Sequence, residues 1–181
     1  MLARALQRAN ASVWVRVLGV ALFAVATALS ARLSVLLPFS PVPLTLQVLV
    51  VVLAGLALGA RDGALAQVVY LQAILLGAPY TASGLGGPAA FVAPTAGYLL
   101  AFPVAAFAAG WLSHRSARWQ VAWRTLGGLA ALAIIYAGGL TWLSVFTGNL
   151  ATAWKLGVAP FVMADLAKVT LAVAALSARR R

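Results

Sequence analysis

Residues 157–178 read GVAPFVMADLAKVTLAVAALSA, an apolar run that contains two opposite charges, Asp165 and Lys168. A charged side chain at the centre of a bilayer costs about 2.5 to 3.5 kcal/mol on insertion scales, so such residues usually face a cavity or each other. Because they are three positions apart, the two side chains share one face of a helix. The chain has only two acidic residues, Asp62 and Asp165. One of them therefore occupies an energetically costly position, which makes this pair the first functional candidate.

The composition indicates a membrane protein. Of the 181 residues, 64% are hydrophobic and 8% are charged. So few charges cannot cover a soluble domain of this size, whereas a bilayer requires repeated apolar runs of about 20 residues. The net charge of +11 comes from short basic clusters between apolar runs, and the chain has no cysteine and one histidine, His114. We therefore expect no nucleic-acid partner, no metal, no cofactor and no thiol chemistry.

We predict a single integral-membrane domain, residues 1–181, with an all-α fold: a bundle of six transmembrane helices. The predicted spans cover residues 13–36, 43–60, 63–77, 91–113, 124–146 and 157–178. Five of them reach the length of about 17 to 25 residues that crosses a bilayer. The third is shorter and carries Gln67, Tyr70 and Gln72, which predicts that neighbouring helices shield one of its sides.

Lysine and arginine predict the orientation, because cytoplasmic connectors are enriched in them. Basic residues flank alternate ends of the spans: Arg4, Arg8, Arg16, Arg61, Arg115, Arg118, Arg124 and Arg179 to Arg181. The other side has only Arg32 and Lys155, and residues 78–90 carry no charge. Both termini are therefore predicted on the cytoplasmic side of the cytoplasmic (inner) membrane. A secretory signal cleaved after residues 26–28 is the alternative, but a retained first span preserves the inside–outside alternation.

The two predicted external connectors differ in stiffness. Residues 38–43 read PFSPVP, and three prolines fix φ and disfavour helix, so a rigid nonhelical edge is expected. Residues 84–88 read GLGGP, where glycine permits positive φ and a close approach to a ligand. We interpret this second connector as a mobile loop, with ordinary turns as the alternative for both.

The charged pair has two interpretations from the residues alone. It is either an internal ion pair that holds helices in register, or a polar clamp for a small ligand. In the clamp, the carboxylate accepts hydrogen bonds from N–H groups and the ammonium donates to a carbonyl or a carboxylate. These interpretations correspond to a structural or assembly subunit and to a ligand-binding subunit. An enzyme is not expected, because no obvious nucleophile accompanies the pair.

Four motifs, in their order and spacing, resemble the BioY family: PVPLTLQ at 41–47, GLGG at 84–87, PTAGYL at 94–99 and DLAK at 165–168. BioY proteins are the biotin-binding S components of energy-coupling factor transporters. They work with a transmembrane coupling subunit and a pair of ATPases, and some have been proposed to act alone. The resemblance implies a six-helix protein with an outward-facing biotin site and these partners. Because the chain has no G-x-x-x-x-G-K-[ST] phosphate loop, any ATP-driven step must come from partners.

The resemblance also implies roles for individual residues. Asp165 would accept from the ureido N–H groups of biotin, and Lys168 would donate to the ureido oxygen or to the valerate carboxylate. Further binding candidates are Thr45, Gln47, Ser83, Gly84, Gly86, Gly87, Thr95 and Tyr98, with the glycines in a loop that closes over the ligand. Ala24 and Ala28 resemble the alanine motif by which S components dock on the coupling subunit. An S component for another small vitamin is the alternative.

Overall fold

The computed structural model describes residues 2–113, 115 and 118–178, with side chains from residue 12 onward. The basic residues Arg4 and Arg8, His114, and Arg179 to Arg181 lie outside the residues whose side chains are described. The chain is mostly helical. Its elements are α1 (Leu2–Arg32), β1 (Ser34–Val35), β2 (Leu44–Thr45), α2 (Gln47–Leu58), α3 (Ala60–Leu75), a 3₁₀ helix (Pro88–Phe91), α4 (Ala96–Ser113), α5 (Gln120–Thr147), α6 (Leu150–Gly157) and α7 (Val162–Ala178).

Three helical segments are long and apolar enough to cross a membrane: Ser12–Arg32, Ala96–Ser113 and Gln120–Thr147. The helices α6 and α7 pass the same test together, as one segment bent by 55°. The helices α2 and α3 have 12 and 16 residues. At 1.5 Å per residue they are about 18 and 24 Å long, shorter than the hydrocarbon thickness of about 30 Å. By length and composition, the described residues thus contain three or four of the six predicted spans.

Arginine side chains form polar contacts between helices at one end of the bundle. Arg16 of α1 forms an ion pair with Asp62, in the first turn of α3, at 2.7 Å. Arg124, near the start of α5, donates to the carbonyl oxygen of Leu176, near the end of α7, at 3.1 Å. The start of α3 therefore meets α1, and the start of α5 meets the end of α7, at the end that the sequence predicts to be cytoplasmic.

The connectors meet at the opposite end of the bundle. The hydroxyl of Ser40 donates to the carbonyl oxygen of Leu156, before α7, at 2.7 Å. The indole nitrogen of Trp142 on α5 donates to the carbonyl oxygen of Ala93, before α4, at 2.9 Å. The first bond ties the proline-rich connector to α6, and the second ties α5 to the segment before α4; we call this end of the bundle the rim.

The proline-rich connector is nonhelical, as its prolines predict. Its two sides form an antiparallel pair, in which Ser34 lies opposite Thr45 and Val35 opposite Leu44. Within the described residues, this two-stranded ladder is the departure from the predicted all-α fold. The ladder fixes the position of Thr45 just before α2 begins.

The α2–α3 connection consists of one residue, Gly59, with φ of 86° and ψ of 177°. This backbone region is essentially restricted to glycine, because a Cβ clashes with the neighbouring peptide groups. The turn sets α2 directly against α3, where a Cβ added to Gly63 would lie 2.7 Å from the Cα of Gly55. Glycine at these positions therefore permits the close antiparallel packing of two short helices.

Replacing Gly59 with alanine is expected to lower the stability of the protein by about 1 to 3 kcal/mol. The reason is that alanine would be strained at the positive φ that this turn requires. The measurement is the thermal melting midpoint in detergent. The control is Gly148→Asn, since Gly148 has φ of 65° and ψ of 1°, a conformation that asparagine tolerates. An unchanged melting midpoint for Gly59→Ala would contradict this account of the turn.

Candidate functional site

A cavity opens toward the rim between α2, α4, α5 and α7. Its walls include the apolar side chains of Val48, Phe102, Ile135 and Phe161. The polar residues that line it are Thr45, Gln47, Thr81, Thr95, Tyr98, Tyr136, Asp165 and Lys168. A mainly apolar pocket with a few convergent polar groups is typical of a small-molecule site.

The cavity is narrow in this conformation. It encloses about 590 Å³ free of protein atoms when its open mouth is counted, but the space wide enough for a water molecule amounts to only about 60 Å³. A ligand larger than a few waters therefore requires side chains or connectors at the rim to move outward.

Asp165 and Lys168 form a buried ion pair at this cavity. Lys168 Nζ lies 2.6 Å from Asp165 Oδ1, and only 5% of the aspartate side chain and 9% of the lysine side chain are exposed. The hydroxyl of Tyr136, on α5, donates to Asp165 Oδ2 at 2.7 Å. Each carboxylate oxygen thus holds one donor, and each retains a lone pair for another.

The helix break before α7 places Asp165 at a favourable position. The sequence predicts one span over 157–178, but α6 ends at Gly157 and α7 begins at Val162. Pro160 lies between them; it has no N–H to donate and it disfavours helix in the preceding residue. Asp165 consequently lies in the first turn of α7, where the helix dipole stabilises a negative charge.

Tyr98 holds the helix break in place. Its hydroxyl donates to the carbonyl oxygen of Gly157 at 2.8 Å, and a Cβ on Gly139 or Gly157 would clash with its side chain. The ring therefore fills the space between α5 and the break. Tyr98 shapes the wall of the cavity, and its hydroxyl proton is already committed to the backbone.

Gln47 and Thr45 reach the cavity from the start of α2. The Gln47 amide nitrogen Nε2 donates to the hydroxyl of Tyr70, which donates to the carbonyl oxygen of Tyr80, at 2.8 and 3.0 Å. Thr45 Oγ1 accepts from the backbone N–H of Gln47 at 3.2 Å. This network ties the start of α2 to α3 and to the connector after it, and it orients the side chain of Gln47.

The glycine-rich connector, residues 78–90, lies beside the cavity. Thr81 is the polar residue of this connector that lines the cavity. Ser83, Gly84, Gly86 and Gly87 are not among the lining residues. Local backbone structure explains why these residues are glycine. Gly84 and Gly87 have positive φ angles of 75° and 71°. A Cβ on Gly86 would lie 2.5 Å from the backbone of the preceding turn. Of the predicted binding residues, Thr45, Gln47, Thr95, Tyr98, Asp165 and Lys168 are brought together.

Tyr136 and Thr81 are the polar lining residues that the sequence analysis missed. Tyr136 stands in the middle of the predicted span 124–146, away from the membrane interfaces where tyrosine is usually enriched. That position was a usable signal. The sequence offered no comparable signal for Thr81, because threonine is common in turns.

Ala24 and Ala28 are buried inside the chain, with 6% and 9% of each residue exposed. They belong to the hydrophobic core together with residues of the neighbouring helices. Small side chains at these positions let α1 approach its own neighbours closely. In this conformation, therefore, neither alanine presents a docking surface; the outward side of α1 carries Leu22, Val25 and Leu29.

Comparison with known proteins gives consistent matches over most of the chain. The model of the family described as the BioY family matches residues 6–181. A probable biotin transporter BioY of Pyrococcus horikoshii is 43% identical over 154 residues, which is 85% of this chain and 89% of that protein. The biotin transporter BioY of Thermotoga maritima is 40% identical over 144 residues, covering 80% of this chain and 83% of that protein.

A solved structure has the same fold. It is the S-component for biotin from an ECF-type ABC transporter, and it superimposes with a TM-score of 0.82 at 25% sequence identity. The match covers 95% of this chain and 94% of that one. The helical arrangement described above is therefore that of a known S component.

Replacing Tyr136 with phenylalanine is expected to destabilise the protein by about 1 to 3 kcal/mol, because Asp165 Oδ2 loses its donor while it remains buried. The thermal melting midpoint in detergent measures this loss. Tyr80→Phe is the matched control, since Tyr80 is 40% exposed and no hydrogen bond of its hydroxyl is found among the described residues. Equal melting midpoints for the two variants would contradict the role assigned to Tyr136.

Proposed function

The chain belongs to the BioY family, and from this premise we propose that it is the biotin-binding S component of an energy-coupling factor transporter. The family match confirms the resemblance stated from the four motifs. It makes the chain a multi-pass membrane protein of a transporter family rather than an enzyme. We place it in the cytoplasmic membrane as one substrate-binding domain that takes up biotin.

The observation that carries the proposal is the buried Asp165–Lys168 pair at the cavity. The ureido ring of biotin presents two N–H donors and one carbonyl acceptor, which match a carboxylate and an ammonium side by side. The pair is neutral as a whole, and so is the ureido group, so binding leaves no uncompensated charge in the bilayer. The apolar walls formed by Phe102, Ile135 and Phe161 suit the sulfur-containing ring and the aliphatic tail.

We assign Lys168 to the ureido oxygen rather than to the valerate carboxylate. A ligand carboxylate beside Lys168 would place two negative groups, the ligand's and that of Asp165, next to one buried cation. Such an excess of charge is unfavourable in a poorly solvated site. Gln47 and Thr95 remain secondary binding candidates because they line the same cavity. Ser83, Gly84, Gly86 and Gly87 act in the proposal through the connector that must move to admit the ligand.

We propose six membrane-crossing segments with both termini in the cytoplasm. Supporting this, Arg61, Arg115, Arg118 and Arg124 belong to the end of the bundle opposite the cavity mouth, which agrees with the excess of basic residues in cytoplasmic connectors. The short helices α2 and α3 lie against α1 and α4, so protein shields them in part from lipid. The cavity then opens to the outside, from which biotin arrives.

The ligand is tested by equilibrium binding of radiolabelled biotin to purified wild-type protein, with other small vitamins as competitors. We expect saturable biotin binding that unlabelled biotin displaces and other vitamins do not. A structural or assembly subunit would bind none of them. Displacement by another vitamin at lower concentration than biotin would identify an S component for that vitamin.

The two charged residues are tested by Asp165→Asn and Lys168→Met, each expected to weaken biotin binding by at least about tenfold, because one charged partner of the ligand is lost. Asp62→Asn is the matched control, since Asp62 is the other acidic residue and lies at the opposite end of the bundle. Melting midpoints are recorded alongside, because breaking a buried pair also destabilises the fold. Folded variants that bind biotin as well as wild type would exclude the clamp.

We propose that a transmembrane coupling subunit and a pair of ATPases drive the transport step, because the chain has no phosphate-binding loop of its own. Uptake of labelled biotin is compared in cells that express the chain alone and in cells that also express these partners. Concentrative uptake is expected only with the partners. Equal concentrative uptake by the chain alone would show that it works without its ATPase module. Docking through Ala24 and Ala28 would require α1 to shift, since both are buried here.

A further inference from the structure

Arg32 lies beside the glycine-rich connector and close to two of the segments that line the cavity, although it is not itself a lining residue. It stands in the last turn of α1, two residues before Ser34, which pairs with Thr45. Its guanidinium Nη1 lies 3.8 Å from the position that a Cβ on Gly84 would occupy. Thr45 and the connector residue Ala82 both line the cavity. The exposed side chain of Arg32 is therefore held where the β ladder and the glycine-rich connector come together.

The chain supplies no acidic side chain to neutralise Arg32. Its two acidic residues are Asp62 and Asp165, and both are engaged elsewhere, Asp62 with Arg16 and Asp165 with Lys168. Among the described residues, no ion pair of Arg32 is found. An arginine beside the mouth of a binding cavity, with no carboxylate in its own chain, is suited to a carboxylate that arrives with the ligand.

We propose that Arg32 is a specificity-determining residue, which binds the carboxylate of the ligand at the mouth of the cavity. This inference rests on the proposed function. With the ureido ring at Asp165 and Lys168, the aliphatic tail runs along the apolar walls and its carboxylate emerges at the rim. The planar guanidinium donates two parallel hydrogen bonds to the two carboxylate oxygens.

A structural role is the alternative for Arg32, because a cation in the last turn of a helix interacts favourably with the helix dipole. The two roles differ in what they predict. A structural role affects every ligand equally, whereas a carboxylate contact affects only ligands whose tail carries a negative charge. Lys155 provides a matched comparison: it is the other basic residue on the predicted outer side, it is exposed, and it lies in the last turn of α6.

The test is equilibrium binding of biotin and of biotin methyl ester, whose tail is neutral, to wild type, Arg32→Gln, Arg32→Lys and Lys155→Gln. We expect wild type to prefer biotin over the ester by about tenfold, the usual effect of a charge-assisted hydrogen bond. Arg32→Gln is expected to lose this preference through weaker biotin binding, with ester binding unchanged. Arg32→Lys should retain part of the preference, and Lys155→Gln all of it.

Each other outcome overturns a definite statement. Wild-type protein that binds neither biotin nor its ester contradicts the proposed function itself. If wild type binds biotin but Arg32→Gln binds it equally well, only the role of Arg32 is wrong. Equal weakening of both ligands by Arg32→Gln assigns Arg32 to the fold, and selective loss in Lys155→Gln transfers the carboxylate contact to Lys155.

Discussion

The ion pair between Asp165 and Lys168 is the interaction on which the site depends. Burying two charges is costly unless their partners and hydrogen bonds compensate for the lost water. The 2.6 Å contact, the donor from Tyr136 at 2.7 Å and the position in the first turn of α7 provide this compensation together. Because the pair is neutral, it can receive a neutral polar group, such as a ureido ring, without creating a net charge in the membrane.

The rim lies at the end of the bundle toward which the cavity of this pair opens. At this rim, Ser40 of the proline-rich connector is bonded to Leu156 of α6, and Trp142 of α5 is bonded to Ala93, just before α4. The cavity below the rim is narrow in this conformation, and outward movement of the rim would widen the route to the pair. In our proposal, Arg32 binds the charged end of the ligand near this rim, and the neutral Asp165–Lys168 pair below it binds the neutral polar end.

Sequence reasoning anticipated much of the fold, because long apolar runs identify helices such as α1, α4 and α5. It was less accurate where helices are short or broken. The span predicted over 157–178 is interrupted at Pro160, whose effect on an otherwise apolar run depends on whether neighbours such as Tyr98 stabilise the break. The β ladder precedes α2, and the turn at Gly59 separates α2 from α3, which keeps these helices short. A hydrophobicity pattern predicts neither feature.

By itself, the sequence determined that this is an apolar helical protein with a charged pair in its last span. Its motifs determined the family. Both follow from composition and local spacing, which are properties of the chain alone. Only the tertiary structure decided which residues meet. It brought Tyr136 of α5 to Asp165 of α7, placed Ala24 and Ala28 inside the core, and set Arg32 against the glycine-rich connector. Such contacts join residues far apart in the chain, and they depend on how the helices pack against one another, which local sequence patterns do not encode.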